Sequence, residues 1–222
     1  MRRKPALFAC LLALTACHDA KSADIVAEHA PSPATAPAPQ ARVGTDPGHA
    51  GGGTPLTPAA HHRLAAFAAG CFWGVEDAFR HVPGVVATAV GYAGGHTSNP
   101  TYGEVSSHST GHAETVLVEF DPTRVPYEQL LRVFWKIHDP TQIDGQGPDL
   151  GDNYRSIVFV FDDEEAAAAR SSLQAEQKVV REPIVTRVQP MGAFYKAEAY
   201  HQQYSERTGS HACPIASQLG TL

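Results

Sequence analysis

The sequence predicts an α/β or α+β two-layer sandwich, in which helices flank a mixed central sheet and a long irregular tail ends the chain. Segments with the two-residue hydrophobic alternation of strands take turns with segments of helical spacing. Of the 222 residues, 43% are hydrophobic and 18% are charged. This composition is enough for one substantial core.

Nine strands and helices follow one another in the predicted domain. In order they are a strand at 64–69, a helix from 72, strands at 85–90 and 112–120, a helix from 126, a strand at 156–161, a helix at 163–181, a strand at 184–188 and a helix at 196–207. Gly70 ends the first strand and Pro83 ends the first helix. Phe72, Val75 and Phe79 give that helix an apolar face through i, i+3, i+7 spacing.

The later elements rest on similar patterns. Glu114, Val116 and Val118 share one face of an alternating strand, after a loop at 91–111 that is rich in Gly, Ser and Thr. Pro126 can begin a helix, and its apolar stripe is Leu130, Val133, Phe134 and Ile137. Acidic residues open the helix at 163–181, and a glycine follows the last helix.

The first residues resemble an export signal. Arg2, Arg3 and Lys4 precede an apolar run at 5–16, which is too short to span a membrane and ends before Cys17. Leu14-Thr15-Ala16-Cys17 resembles the bacterial lipobox, so we expect lipid on Cys17 after cleavage of residues 1–16. A short buried helix and a plain cleaved signal are the alternatives.

A tether is expected between this signal and the domain. From 31 to 60, 19 of 30 residues are Pro, Gly or Ala, with no aromatic residue. Such a segment cannot bury enough apolar area to order itself. We therefore expect a lipidated N-terminus and disordered linker at 17–62 and one folded domain at 63–222.

Charge and composition exclude several classes of function. The net charge is −6 with histidines neutral, and no basic run occurs beyond the first residues, so nucleic acid is not an expected partner. No stretch of 18 apolar residues exists, which excludes a conventional membrane span. The four cysteines are too few for a disulfide framework.

Cys71 and Cys213 are the two cysteines left after the expected processing. Cys71 follows a glycine at a strand-to-helix turn, where unpaired N–H groups and the helix dipole favour a thiolate. Cys213 lies in a tail without periodic apolar residues. A disulfide that staples this tail is the structural alternative, and it could contribute about 5 kcal/mol.

Three further residues suggest a site around Cys71. Phe72 and Trp73 could form an apolar wall for a methyl group, although helix core is the ordinary role of such residues. Glu114 shares its strand face with apolar side chains, which should raise its pKa and keep it protonated. Alternatively, Glu114 is a solvent-facing acid at the strand end, paired with His112.

Eight short blocks between roughly residues 65 and 213 occur in family order and resemble the signatures of peptide methionine sulfoxide reductase, class A. They are GCFWGVE at 70–76, GYAGG at 91–95, NPTY at 99–102, TGHAE at 110–114, HDPTQ at 138–142, QGPD at 146–149, NYRS at 153–156 and HQQY at 201–204.

The resemblance implies reduction of a methionine S-sulfoxide, peptide-bound or free, to methionine. Cys71 would attack the sulfur and become a sulfenic acid, while Glu114 protonates the departing oxygen. Cys213 would then form a disulfide with Cys71, which an external thioredoxin-type dithiol reduces. The reaction needs no metal, flavin or nicotinamide.

The resemblance also assigns residues that bind the substrate. The hydroxyl groups of Tyr102 and Tyr154 would hold the sulfoxide oxygen, and Asp149 would order this polar side of the pocket. Phe72 and Trp73 would form the aromatic cradle of the S-methyl group.

The sequence departs from the family pattern at two places, and it also carries the expected export signal. The tail offers one cysteine, Cys213, where many members have two, so the relay should take a single step. Ser106-Ser107-His108-Ser109 stands where many members have a glycine. Because His18 rather than aspartate follows Cys17, we expect the outer membrane, with the domain facing the periplasm. We further expect a monomer that repairs oxidised envelope proteins.

Two other classes of function remain open at this level. A cysteine hydrolase would need His112 or His201 as its base, and an envelope binding protein would use both cysteines as an inert staple. His201 has helical neighbours that favour packing over catalysis. Histidine pairs such as His61-His62 imitate metal spacing but lack companions, so no metal site is expected.

Overall fold

A computed structural model describes residues 58–210. The expected signal, the lipidation site Cys17, most of the linker, the resolving Cys213 and the C-terminal tail beyond residue 210 lie outside these residues. The described elements are β1 Arg63–Ala68, α1 Phe72–Arg80, β2 Val85–Ala93, α2 Tyr102–Ser106, β3 Ala113–Phe120, α3 Tyr127–Lys136, β4 Gly145–Gln146, β5 Asp149–Leu150, a 3₁₀ turn Asp152–Tyr154, β6 Ile157–Val160, α4 Asp163–Glu176, β7 Arg187–Pro190, β8 Phe194–Lys196 and α5 Tyr204–Thr208.

A six-stranded mixed sheet forms the centre of the domain, with the order β7-β6-β1-β3-β2-β8. Neighbouring strands are antiparallel, except for the parallel pair β6–β7, whose strands α4 connects. The short strands β4 and β5 form a separate hairpin. The mixed sheet with flanking helices confirms the predicted fold class.

Two apolar clusters lie on the two faces of this sheet. The larger cluster packs the aromatic residues of β1 and β3 against α1 and α3, and Phe67 stacks on Phe79 with ring centroids 4.7 Å apart. The smaller cluster is built largely from alanines of the opposite face and includes Leu117 and Phe159. Because β3 is central, all eight of its residues are buried, and alternate side chains enter the two clusters.

The predicted strands and helices before residue 162 are present, and the β4–β5 hairpin and the 3₁₀ turn are additional to the prediction. The strand predicted at 85–90 continues to Ala93 because its last residues pair with both β3 and β8. The loop predicted at 91–111 contains α2, which Thr101 and Glu104 open with a capping box.

The last third of the described chain departs further from the prediction. The helix predicted at 163–181 ends at Glu176. The side chain of the next residue, Gln177, accepts a hydrogen bond from Ile184 N at 2.9 Å and holds the segment that follows the helix. The strand predicted at 184–188 is β7, which begins three residues later, where Arg187 pairs with Ile157.

The helix predicted at 196–207 is wrong over most of its length. Lys196 ends β8, and a turn stabilised by the Gln202 side chain precedes α5. The Gln202 amide accepts from Val90 N at 3.0 Å and donates to Val90 O at 2.9 Å. Gly209 ends the helix in the left-handed conformation, as expected.

The chain enters the domain beside a buried carboxylate on β3. Glu119 Oε1 accepts a hydrogen bond from Ala59 N at 2.9 Å and lies 2.7 Å from His62 Nδ1. Glu119 occupies the end of β3 away from Glu114, so the entering segment is fastened at the opposite end of that strand. Across residues 58–210, no helix is long and apolar enough to cross a membrane.

Candidate active site

Cys71 occupies the turn that joins β1 to α1. It is the N-cap residue of α1 and is half-buried. Gly70 before it has a φ of +95°, and a Cβ atom there would lie 2.7 Å from the Gln146 side chain. The turn therefore requires glycine at position 70, and the Gln146 side chain packs against the turn just before Cys71.

Glu114 lies next to this turn, inside the protein. Its side chain is 2% exposed, and its Oε2 accepts a hydrogen bond from Phe72 N at 3.1 Å. The alternative of a solvent-facing acid paired with His112 is therefore wrong. His112 instead accepts from Gly95 N at 3.1 Å and lies 2.9 Å from Thr97 O, which holds the preceding loop.

The surroundings of Glu114 favour its protonated form. Burial raises the pKa of Glu114 to about 8, the nearby charge of Asp149 adds to this rise, and the Phe72 N–H opposes it. Asn153 lies beside Glu114 and Tyr154, although its amide is not aligned for a hydrogen bond to either. Glu114 is thus an acid that holds its proton at neutral pH.

Tyr102, Tyr154 and Asp149 surround Glu114 from separate elements. Burial raises the pKa of Tyr154, and the Glu114 carboxyl group, Tyr102 and Asp149 are its charged or polar neighbours. Burial also raises the pKa of Tyr102, which lies near Glu114 and Cys71. The structure therefore places two neutral tyrosines and an aspartate around one buried carboxyl group.

Phe72 and Trp73 belong to an aromatic cluster centred on His201. The His201 ring lies 5.1 Å from the Phe72 ring, 5.6 Å from Trp73 and 4.5 Å from Tyr102. Trp73 donates from Nε1 to His201 Nδ1 at 3.1 Å and stacks on Tyr204 at 4.0 Å. The cluster fixes the indole beside the turn of Cys71.

His201 packs among these aromatic rings and contacts Trp73, although the helix from which a packing role was predicted is absent at this position. Because Nδ1 accepts from Trp73, the other ring nitrogen carries the hydrogen, and it is buried without a hydrogen-bond partner in the described part of the chain. Both ring nitrogens of His112 have partners, Gly95 N and Thr97 O. Neither histidine offers the lone pair that the base of a cysteine hydrolase needs.

Glu198 is a site-supporting residue that the sequence did not indicate. Its carboxylate accepts from Tyr102 N and from the Tyr92 hydroxyl group, each at 2.9 Å. Tyr92, expected in a loop, lies in β2 directly opposite Glu114. Glu198 therefore connects the start of α2 to the strand that flanks the acid.

The histidines that imitate metal spacing have other neighbours. His62 faces Glu119, and His108 lies 3.5 Å from Asp152. Between residues 58 and 210, no cluster of three or more histidine, cysteine or acidic side chains could hold a metal ion.

Known proteins are similar to most of the domain. Residues 63–221 match the family profile of peptide methionine sulfoxide reductase. The chain is 57% identical over 147 residues to the peptide methionine sulfoxide reductase MsrA of Methanosarcina mazei, covering 65% of this chain and 70% of that protein. It is 55% identical over 151 residues to MsrA of Geobacter sulfurreducens, covering 67% of this chain and 93% of that protein.

A solved structure has the same fold. The methionine sulfoxide reductase A of Corynebacterium diphtheriae superimposes with a TM-score of 0.70 at 35% identity, and the match covers 79% of this chain and 85% of that one.

Proposed function

The chain belongs to the peptide methionine sulfoxide reductase family, class A, and is an oxidoreductase that reduces methionine (S)-sulfoxide; from this premise we propose that Cys71 is its nucleophile and Glu114 its proton donor. One observation carries the assignment: the buried Glu114 carboxyl group binds the backbone N–H that follows Cys71. An acid that is neutral at pH 7 thus lies beside the only cysteine of residues 58–210.

The proposed reduction removes one oxygen atom from the substrate and supplies two electrons. The Cys71 sulfur attacks the sulfoxide sulfur, and Glu114 supplies a proton to the oxygen. The attack forms an S–S bond, and the S–O bond of the substrate breaks as the oxygen leaves as water, taking the Glu114 proton and the proton of the Cys71 thiol. Water then attacks the Cys71 sulfur, the S–S bond breaks, methionine leaves and Cys71 becomes a sulfenic acid. Because Glu114 Oε2 accepts from Phe72 N, the other oxygen can carry the proton.

The remaining site residues would bind the substrate. Tyr102 and Tyr154 keep their hydroxyl hydrogens, since burial raises both pKa values, and would donate to the sulfoxide oxygen. Asp149 helps to keep Glu114 neutral. Phe72 and Trp73 provide the apolar surface that an S-methyl group needs.

Cys213 would complete the cycle. Its thiol attacks the Cys71 sulfenic acid, a disulfide forms and water leaves. A dithiol of the thioredoxin type then reduces this disulfide by exchange, so the chain needs no prosthetic cofactor. Cys213 is proposed from the sequence, because it lies outside the described residues.

Three variants test these roles with a small dithiol or thioredoxin as reductant. We expect Cys71→Ser to abolish turnover and Glu114→Gln to slow it by about 10²–10⁴-fold. Cys213→Ser should release one methionine per chain in a single turnover but recycle poorly with thioredoxin. Activity of Cys71→Ser would overturn the nucleophile, and a Cys213→Ser enzyme equally fast with thioredoxin would remove Cys213 from the relay.

The N-terminal sequence supports a further proposal about location. The basic residues at 2–4 and the lipobox before Cys17 support a lipid-anchored enzyme in the bacterial envelope, facing the periplasm and repairing oxidised proteins there. Mass spectrometry of the mature N-terminus should find acylated Cys17, and an unprocessed Met1 would contradict the anchor.

A further inference from the structure

Four large hydrophobic side chains are strongly exposed within residues 58–210. They are Ile143, Leu150, Val179 and Tyr200. Isolated exposed apolar residues are ordinary, but exposed apolar side chains beside an active site mark surfaces that bind something. Leu150 directly follows Asp149, and Tyr200 directly precedes His201.

Tyr200 extends the aromatic cluster of the site to the surface. Its side chain is 54% exposed, and its ring lies 4.1 Å from the ring of His201, which is 1% exposed. His201 in turn contacts Phe72, Trp73 and Tyr102. Ring contacts therefore connect the residue that follows Cys71, through the buried His201, to an exposed tyrosine.

The turn that carries Tyr200 is held rigidly. Arg207 donates to Tyr200 O at 2.6 Å, and His201 N donates to Glu198 O at 2.9 Å. The Tyr200 hydroxyl group makes no hydrogen bond within the described part of the chain. The backbone at Tyr200 is thus held by hydrogen bonds, and its ring, which packs against His201, is exposed.

Leu150 is exposed beside Asp149, on the hairpin that borders the other part of the site. Its side chain is 72% exposed, and it pairs with Gly145 across β4 and β5. Asp149 is a neighbour of Glu114 and Tyr154, whereas Tyr200 is a neighbour of Tyr102. The two exposed residues therefore adjoin different groups of the site.

We propose that Tyr200 and Leu150 form a rim that binds the polypeptide on either side of an oxidised methionine residue. This inference rests on the proposed function and names part of its substrate. Extended chain advances about 3.3 Å per residue, so residues one or two positions from the methionine can reach beyond the pocket. Free methionine sulfoxide has no such residues.

The test compares two substrates under one reductant. Initial rates are measured with a small dithiol on an oxidised peptide with apolar flanking residues and on free methionine (S)-sulfoxide. For Tyr200→Ser and for Leu150→Ser, we expect KM for the peptide to rise about fivefold or more, with kcat within about twofold. The kcat/KM for the free substrate should change less than about twofold.

Two control variants separate binding from general surface effects. Val179 is 77% exposed beyond the end of α4, so Val179→Ser removes a similar exposed side chain away from the rim and should leave both substrates unaffected. Tyr200→Phe keeps the ring and should restore the KM for the peptide, since the contact is apolar.

The possible results separate a failure of the proposed rim from a failure of the proposed function. If a variant changes kcat/KM equally for the peptide and for free methionine sulfoxide, or changes it for neither, the proposed rim is wrong. The activity of the wild type would still support the proposed function. In a parallel assay with thioredoxin as reductant, a raised KM for thioredoxin without a change for either substrate would also overturn the rim and assign the surface to the reductant. Failure of the wild type on both substrates would instead reject the proposed function itself.

Discussion

At the scale of single residues, the site depends on how Glu114 is held. One hydrogen bond from Phe72 N fixes one carboxyl oxygen, and burial with a neighbouring aspartate keeps the group neutral. The same N–H is one of those left unpaired at the start of α1, so the acid also satisfies the helix end that carries Cys71. Nucleophile and acid are therefore positioned by one contact.

The pKa of Glu114 predicts the alkaline side of the activity profile. Since the pKa is raised to about 8, the proton donor is lost as the pH rises past that value. We expect the kcat/KM of the wild type for free methionine sulfoxide to fall about tenfold per pH unit above the pKa. Glu114→Gln should be slow at all pH values and lack this decline.

Stability measurements provide the folding control for that variant. The pKa of Glu114 is about 8 in the folded protein and 4.5 in the unfolded chain. The free energy of unfolding therefore decreases as the pH rises from 4.5 to about 8, because ionisation of Glu114 favours the unfolded chain. Glu114→Gln, which mimics the neutral form, should gain stability relative to the wild type over this interval, measured by urea unfolding. A constant difference across the interval would contradict the shifted pKa.

Sequence could indicate Glu114 but not its supporting residues. Alternation along one strand placed Glu114 on an apolar face but left a solvent-facing acid as the alternative, and the family resemblance supplied its expected role. Glu198 could not be found in this way, because it contacts Tyr102 from 96 residues away along the chain. Asn153 lay in a recognised block, but only the fold shows that it borders Glu114.

At the scale of elements, Glu76 joins α1 to β2 and to the C-terminal segment. Its buried carboxylate accepts from the Thr88 hydroxyl group at 2.8 Å and from Gln203 N at 2.8 Å. Gln203 adopts a φ of +45° and immediately precedes α5. The left-handed residue that directs the chain into its last described helix is thus held by α1.

Removing this carboxylate should loosen the last helix. We expect Glu76→Ala to lower the free energy of unfolding by about 2–4 kcal/mol, because it leaves buried donors without acceptors. Glu164, which is exposed on α4, gives the matched control, and Glu164→Ala should change stability by less than about 0.5 kcal/mol. Thermal unfolding of both variants measures the difference, and similar losses would refute the role of Glu76.

The elements that sequence missed were short or formed by distant contacts. Thr101 and Glu104 carried the capping-box signal of α2, which the glycine-rich surroundings obscured. Helical spacing at 196–207 was misleading, because Gln202 bonds to Val90 and turns the chain. Pairing with a strand more than a hundred positions away cannot be inferred from local periodicity.

At the scale of the whole molecule, His138 ties the end of α3 to the sheet. Its ring nitrogens lie 2.7 Å from Phe134 O and 2.7 Å from Ser156 Oγ, and Ser156 continues to Thr186 at 2.7 Å. Burial lowers the pKa of His138 to about 4. The imidazole is therefore neutral in the folded protein.

Acid should weaken the fold through this residue. The unfolded chain binds a proton at His138 near pH 6.5 and the folded one only near pH 4, so stability falls as the pH drops through that interval. The loss should be on the order of 3 kcal/mol. Urea unfolding of His138→Gln should show a smaller pH dependence there, although it is less stable overall. His81→Gln, at an exposed position, is the control, and identical pH dependence in all three proteins would count against His138.

Glu119 and Glu114 stand five positions apart on β3, which corresponds to about 17 Å of strand. Ala59 is hydrogen-bonded to Glu119 at one end of this strand, and Glu114 contacts the turn of Cys71 at the other end. The entering segment therefore makes its contacts at a distance from the acid, so a change in the chain upstream of Ala59 leaves the contacts of Glu114 intact.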